Sequence, residues 1–112
     1  MAAERAAAEW LMARGYGILH TNWRSGRYEI DIVAERGDTL HLVEVKCRRP
    51  GSLTAPEDAI TPAKFAALQK AAAAYIALYA IDLEVQFDLM AMTPSGGGFE
   101  VRYVPGAMTV SW

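Results

Sequence analysis

The chain has 112 residues, of which 53% are hydrophobic and 21% are charged. This length and composition predict a single globular domain over residues 1–112 and exclude an intrinsically disordered chain. Eleven Lys and Arg against thirteen Asp and Glu give a net charge of −2, which excludes a protein that coats nucleic acid through bulk positive charge.

The single cysteine, Cys47, excludes an intramolecular disulfide framework and a zinc site built on cysteines. Such sparse cysteine usage is typical of a reducing compartment, so we expect a cytoplasmic protein. No apolar run approaches the roughly 20 residues that span a bilayer, and no membrane partner is expected.

The predicted elements alternate between helix and strand in the order αβββαββ. Gly15 and Gly17 end the first helix, whereas Thr61 as N-cap and Pro62 at the first helical position begin the second. The order predicts an α/β fold in which helices flank a mixed β-sheet. In chain order the elements are helix 3–14, strands 18–23, 28–35 and 39–47, helix 62–80, and strands 84–92 and 99–104.

Acidic side chains concentrate on the second and third predicted strands. Because side chains alternate with a period of two, Glu29 and Asp31 are expected to share one face of their strand, and Glu44 and Lys46 one face of the next. The short turn between these strands predicts antiparallel neighbours. Three carboxylates and one lysine therefore converge on one surface. The apolar residues between them are expected to point the opposite way into a core: Ile30, Ile32, Val43 and Val45.

Converging carboxylates repel one another unless a cation lies between them. Mg²⁺ or Mn²⁺ accepts one or two carboxylates, a backbone carbonyl and several waters, and it can acidify a bound water beside a phosphate. A neighbouring lysine can orient the nucleophile, so the pattern suits metal-dependent phosphodiester cleavage. Spacing alone equally allows a solvated, salt-bridged sheet face in which each pair contributes about 0.2–1 kcal/mol.

Three runs of residues carry a resemblance to a known family: Gly15-Tyr16-x-Ile18-Leu19-x-x-Asn22-x-Arg24, Glu29-Ile30-Asp31-Ile32-Val33-Ala34 and Val43-Glu44-Val45-Lys46-x-Arg48. With these motifs, residues 4–90 resemble the YraN family of small bacterial proteins that are predicted to be endonucleases. That family is similar to archaeal Holliday-junction resolvases and to the restriction-endonuclease fold, whose active site is an Asp with a Glu-x-Lys. The resemblance implies a restriction-endonuclease-like αβββαββ core and a metal-dependent DNA endonuclease that acts on branched DNA.

The resemblance also implies roles for individual residues. Asp31, Glu44 and the carbonyl of Val45 would hold Mg²⁺ or Mn²⁺, and Lys46 would position the attacking water. Glu4 matches a helix glutamate that completes the acidic cluster in the related resolvases.

Helical spacing independently places Glu4 toward the packed side of its helix. The alternative for Glu4 is an N-terminal acid that the helix dipole favours. Glu29 is the other carboxylate that could assist the metal.

Basic residues cluster around the predicted metal site although the whole chain is acidic. Residues 24–49 hold six Lys and Arg against five Asp and Glu. Because Arg pairs with phosphate through two parallel hydrogen bonds, we expect Arg24, Arg27 and Arg48, together with Lys64, to contact DNA. The alternative function is a non-catalytic nucleic-acid-binding module of a DNA-processing assembly, which the small size and weak net charge favour.

Apolar residues late in the chain predict self-association, because one small core is not expected to absorb them all. Related resolvases act as dimers, since a two-fold protein matches the symmetry of a junction. We therefore expect a weak homodimer. The residues concerned are Val101, Tyr103, Val104, Met108, Val110 and Trp112.

Overall fold

One five-stranded mixed sheet organises the protein, and a helix packs on each of its faces. The computed structural model describes residues 2–51 and 60–108. The observed order confirms the predicted αβββαββ arrangement and is consistent with a restriction-endonuclease-like core. The elements are α1 (Ala2–Met12), β1 (Gly17–Ser25), β2 (Tyr28–Arg36), β3 (Thr39–Cys47), α2 (Pro62–Tyr79), β4 (Glu84–Ser95) and β5 (Gly98–Met108).

The strands lie in the sheet in chain order. β1, β2 and β3 form an antiparallel meander, β4 runs parallel to β3, and β5 returns antiparallel to β4. A parallel pair cannot be closed by a tight turn, so the chain needs a crossover between β3 and β4, which contains α2. The carboxyl ends of β3 and β4 therefore lie beside the amino end of β2, and that end of the sheet carries the predicted site.

Two hydrophobic clusters, one under each helix, form the core. The cluster under α2 joins helix residues such as Leu68 and Tyr75 to Trp23 and Leu42 of the sheet. The cluster under α1 rests on alanines, which let the helix lie close to Val43 and its neighbours. Its α1 members are Ala3, Ala7, Ala8 and Leu11.

The expected alternation along β2 is wrong at one point. Ile30 and Ile32 are both fully buried, but Ile30 packs in the cluster under α2 and Ile32 in the cluster under α1. Strict alternation would send both to the same cluster. The change of face occurs at Asp31, which lies between them. Val43 and Val45 do lie together, as predicted, in and against the cluster under α1.

The ends of the elements differ from the sequence prediction for local reasons. α1 ends at Met12 rather than residue 14, because the amides of Arg14 and Gly15 bond three residues back and tighten the chain into a turn. Gly15 then adopts a φ of 89°, which favours glycine. The predicted start of α2 is confirmed, since the Thr61 hydroxyl accepts a hydrogen bond of 3.1 Å from the Lys64 amide.

Most of the described apolar residues near the end of the chain pack in or against the two hydrophobic clusters. Val101 and Tyr103 pack against the cluster under α1, and Met108 is buried in the cluster under α2. Val110 and Trp112 lie outside the described residues. Within the described part of the chain, no helix is long and apolar enough to cross a membrane.

Candidate active site

The predicted site lies where β2 and β3 separate. Pairing between the two strands ends at Ile32 and Val43, one residue short of Asp31 and Glu44. Beyond that point the Asp31 carboxylate accepts a hydrogen bond of 2.9 Å from the Val45 amide. The Val45 amide has no backbone partner on β2, and the Asp31 carboxylate accepts its hydrogen bond instead. This bond holds one Asp31 oxygen beside the segment that carries Glu44 and Lys46.

Asn22 on β1 produces the matching irregularity on the other side of Asp31. Trp23 pairs with Ile30 and Thr21 with Ile32, so Asn22 lies across from Asp31. Asn22 has a φ of 52°, in the left-handed region that Asn tolerates better than most residues. Asn22 was not among the residues predicted to form the site. The available signal was an Asn in the middle of a strand, where Asn is uncommon, within the first of the three motif runs.

Four carboxylates act on one another at this point. Asp31 is only 8% exposed. Burial, followed by the negative charge of Glu44, raises the pKa of Asp31 to about 7, although the Val45 amide acts in the opposite direction. Glu4 and Glu29 raise the pKa of Asp31 further. The three other acidic residues that the sequence selected are therefore near enough for their charges to act on Asp31.

Glu44 has both acidic and basic neighbours. Burial raises the pKa of Glu44, whereas the charges of Lys64 and Lys46 lower it. Glu44, Asp31 and Lys64 line one cavity of about 190 Å³ between β2, β3 and α2. The remaining lining residues are Arg27, Tyr28, Glu29, Ala67 and Leu68.

Lys46 and Lys64 are close neighbours. The neighbouring Lys64 side chain lowers the pKa of Lys46, and burial of Lys46 acts in the same direction. Lys64 belongs to the first turn of α2, whose position the Thr61 cap fixes. Two cations held this close favour an anion between them.

Glu4 reaches the site from the sheet face that α1 covers. It is 9% exposed, and its Oε2 atom is buried without a hydrogen-bond partner among the described residues. This burial confirms that Glu4 lies on the packed side of its helix. A buried carboxylate oxygen without a donor is costly, and a cation would relieve that cost. Glu4 also lines, with Thr21 and Asn22, a cavity of about 270 Å³ that is distinct from the cavity of Asp31 and Glu44.

The arginines predicted to contact DNA differ in their surroundings. Arg24 forms an ion pair of 2.8 Å with Glu29, so its charge is already partly neutralised. The exposed Arg27 guanidinium lies 5.7 Å from the Tyr28 ring centroid. Arg48 has two guanidinium nitrogens, Nε and Nη2, that are buried and have no partner among the described residues. It lines a basic cavity of about 410 Å³ that includes Arg49.

The donor set suits a hard divalent cation. Within residues 2–51 and 60–108, no three His, Cys, Asp or Glu side chains converge closely enough to form a ready-made metal cluster. Mg²⁺ does not need one, because it keeps several waters and takes one or two carboxylates. Asp31 and Glu44 are the carboxylates that could bind such an ion, and the unpartnered Glu4 oxygen is a further potential acceptor. Burial, followed by the negative charge of Glu44, raises the pKa of Asp31, and a bound cation would oppose both effects.

A second buried polar group centres on Asp88, outside the predicted site. Asp88 on β4 is fully buried. One of its oxygens accepts from His41 Nδ1 at 2.7 Å and from the Tyr103 hydroxyl, and the other accepts from the Gln86 side chain and the Gly106 amide, both at 2.8 Å. The partners come from β3, β4 and β5, so Asp88 ties three strands together. No spacing rule relates residues this far apart in the sequence.

Comparison with known proteins gives one family. The sequence profile described as "Uncharacterised protein family UPF0102", which is the YraN family, matches residues 3–92. A UPF0102 protein of Bacteroides fragilis is 40% identical over 106 residues, which are 95% of this chain and 88% of that protein. One from Parabacteroides distasonis is 39% identical over 104 residues, or 93% of this chain and 86% of that protein. One from Porphyromonas gingivalis is 43% identical over 95 residues, or 85% and 70% of the two chains.

Proposed function

The chain belongs to the UPF0102 family, and on that premise we propose that it is a divalent-metal-dependent DNA endonuclease whose substrates include branched DNA. The family carries no assigned activity in its description, so the proposal depends on the geometry of the site. The observation that carries it is the convergence of Asp31 and Glu44 with two lysines where β2 and β3 separate.

The acidic residues would hold the metal. We assign Asp31, Glu44 and the Val45 carbonyl as ligands of Mg²⁺ or Mn²⁺, with Glu4 assisting through its unpartnered oxygen. When bound, the ion would supply charge stabilisation for the attacked phosphate and a more acidic water. The Val45 amide keeps Asp31 in a fixed orientation, which limits the reorganisation needed when substrate arrives.

The basic residues would act on the phosphate and the nucleophile. Lys46 is placed beside Glu44, where its ammonium group can orient a water and offset charge on the phosphate. Lys64 keeps a second positive charge within reach of the same anion. Arg27 lines the cavity of Asp31 and Glu44, Arg48 lines a second cavity, and both would hold flanking phosphates. Arg24 must give up its pair with Glu29 before it can do the same, which makes it the weakest of the predicted contacts.

A cleavage assay tests this proposal directly. The purified chain is incubated with Mg²⁺ or Mn²⁺ and with labelled duplex, flap and four-way DNA. We expect cleavage that EDTA stops and that Asp31→Asn abolishes. The matched control is Asp38→Asn, an exposed aspartate in the β2–β3 turn that should leave cleavage unchanged. Absence of cleavage on every substrate, from folded protein, overturns the enzymatic proposal.

A DNA-binding module without catalysis is the second candidate function. The lack of a ready-made three-residue metal cluster in the described part of the chain favours it. Metal titration separates the two functions. DNA binding that is indifferent to Mg²⁺, and an Asp31→Asn variant that binds metal like the parent, support the module.

We also propose that two copies act together on symmetric branched DNA. Most of the described apolar residues near the end of the chain already pack within the protomer. The surface between two copies must therefore include other apolar residues. Exposed apolar residues such as Leu78, at 66% exposure, and Tyr79, at 43%, are available on α2. Light scattering with and without four-way DNA tests the proposal, and a monomer under both conditions at high protein concentration contradicts it.

A further inference from the structure

A cavity of about 600 Å³ lies away from the Asp31 site, at the opposite end of α1. Glu4, whose charge reaches Asp31, is six residues before Trp10, which corresponds to about 9 Å along the helix axis. The cavity is lined by three aromatic side chains, two arginines and a proline. These residues are Trp10, Arg14, Tyr16, Arg36, Tyr103 and Pro105.

The arginines lie on the aromatic rings. The Arg14 guanidinium is 3.6 Å from the Trp10 ring centroid and donates a hydrogen bond of 3.0 Å to the Trp10 carbonyl. The Arg36 guanidinium is 5.0 Å from the Tyr16 ring centroid. Both arginines are exposed, so each presents its positive charge to solvent at the mouth of the cavity. No acidic residue lines this cavity in the described part of the chain.

The tyrosines are fixed from inside the protein. The Tyr103 hydroxyl donates to the fully buried Asp88 carboxylate. The Tyr16 hydroxyl lies 3.4 Å from the Tyr103 hydroxyl and donates to it. Trp10 packs against Tyr103 with ring centroids 5.4 Å apart. The aromatic surface is therefore preorganised, and ordering it costs a ligand little free energy.

Fixed aromatic rings, combined with two guanidinium groups that have no acidic partner in the cavity lining, match the chemistry of one nucleotide. Any of the four bases can stack on an aromatic ring, and an arginine can bind the adjacent phosphate. We propose that this cavity binds an unpaired nucleotide of single-stranded DNA that continues from the DNA held at the Asp31 site. The inference rests on the proposed function and deepens it, because it assigns a contact for the single-stranded part of a branched or flapped substrate.

The observations favour a single strand over the other anions that two arginines could attract. In a duplex the bases are stacked on one another, so none is free to contact a ring. An acidic peptide would use the arginines but would leave the aromatic surface without a matching planar group. Single-stranded DNA satisfies both parts of the cavity.

Tryptophan fluorescence tests the inference with a single-stranded oligothymidine of about 15 nucleotides in EDTA, which excludes cleavage. We expect saturable quenching by the oligonucleotide and much weaker quenching by a blunt duplex of equal length. Trp10→Phe should lose the quenching while it retains binding of a labelled oligonucleotide, because Phe also stacks. Trp23→Phe, which alters a tryptophan in the other cluster, should keep the quenching.

Affinity measurements with a labelled oligonucleotide give the second readout. The double variant Arg14→Ala, Arg36→Ala should bind about tenfold or more weakly. The matched control is Arg102→Ala, an exposed arginine next to Tyr103 that alternates to the other face of β5, and it should change affinity by less than about twofold. Polyglutamate should not quench Trp10.

Quenching by polyglutamate equal to that by DNA, or equal losses in the double variant and the Arg102→Ala control, overturns the inference. Metal-dependent cleavage without Trp10 quenching overturns this inference alone. Quenching with the expected variant pattern, but without any cleavage, overturns the endonuclease proposal and leaves the single-strand site supported.

Discussion

The Asp31 carboxylate and the Val45 amide are joined by a hydrogen bond of 2.9 Å at the point where β2 and β3 stop pairing. A side chain thus completes the backbone ladder, and the same side chain is the central acid of the candidate site. The two roles have opposite electrostatic requirements. The amide favours the charged carboxylate, whereas burial and the neighbouring Glu44 favour the protonated form, and the second influence prevails.

Stability should depend on pH through Asp31. Its pKa is raised from 3.8 to about 7, so the folded state binds the proton more tightly than the unfolded state does. The stabilising contribution of protonated Asp31 to the free energy of unfolding is therefore fully present below about pH 4. It is lost as the pH rises to about 7. We expect Asp31→Asn to be more stable than the parent at about pH 8, by on the order of 2 kcal/mol, and to differ much less near pH 4.

Urea denaturation of both proteins across this pH range measures the difference. Asp38→Asn, in an exposed turn, should follow the parent at every pH. Added Mg²⁺ should raise the stability of the parent at the higher pH and leave Asp31→Asn nearly unchanged, because only the parent binds it well. A variant less stable than the parent at about pH 8 contradicts the prediction.

Asp31 and Lys46 should have separable effects on metal binding. Asp31→Asn removes a ligand charge and should weaken Mg²⁺ or Mn²⁺ binding by about tenfold or more. Lys46→Ala removes a cation beside the metal, so metal affinity should hold or rise slightly while cleavage falls by about 10²–10⁴-fold. Calorimetric titration of both variants beside the parent measures the first effect.

Lys70→Ala, an exposed lysine on α2, is the matched control and should keep both properties. If Lys46→Ala loses metal binding as completely as Asp31→Asn, the assignment of roles is wrong. Small and equal losses of stability in both variants, without a selective change in metal binding, indicate a salt-bridged surface instead.

Glu4 should contribute to the metal site from the opposite face of the sheet. Glu4→Gln keeps the shape of the side chain but removes its charge beside a carboxylate oxygen that has no partner among the described residues. We expect metal affinity to fall by roughly fivefold to tenfold, with fold and melting temperature retained. Glu9→Gln, an exposed glutamate on the same helix, is the control. Equal metal affinity in the two variants shows that Glu4 only favours the start of α1.

Asp88 should act on stability rather than on chemistry. The Asp88 carboxylate accepts four hydrogen bonds, two on each oxygen. Asp88→Asn replaces one of these oxygens with an NH₂ group, which would face buried donors and could not accept from them. We expect the free energy of unfolding to fall by about 2–4 kcal/mol, measured by urea denaturation near neutral pH. Metal binding should survive in the fraction that remains folded. A loss below about 0.5 kcal/mol, comparable with an exposed substitution, refutes this role.

Local sequence patterns determined the elements of this protein and the identity of its main acids. Turn residues, helix caps and apolar periodicity predicted the seven elements in order, because each of these signals acts over a few neighbouring residues. The alternation of acidic and apolar residues on β2 and β3 also selected Asp31 and Glu44. The same reasoning failed for Ile30 and Ile32, since a period of two assumes regular pairing, which Asn22 interrupts on the adjacent strand.

The tertiary structure decided which distant residues meet. The partners of Asp88 lie on three strands, and the cavity of Trp10 and Tyr103 joins the first helix to the last strand. Contacts between such remote positions depend on strand order and helix placement, which no local pattern encodes. The raised pKa of Asp31 has the same origin, because burial and the charges of Glu44, Glu4 and Glu29 act together only once α1 and the sheet have packed.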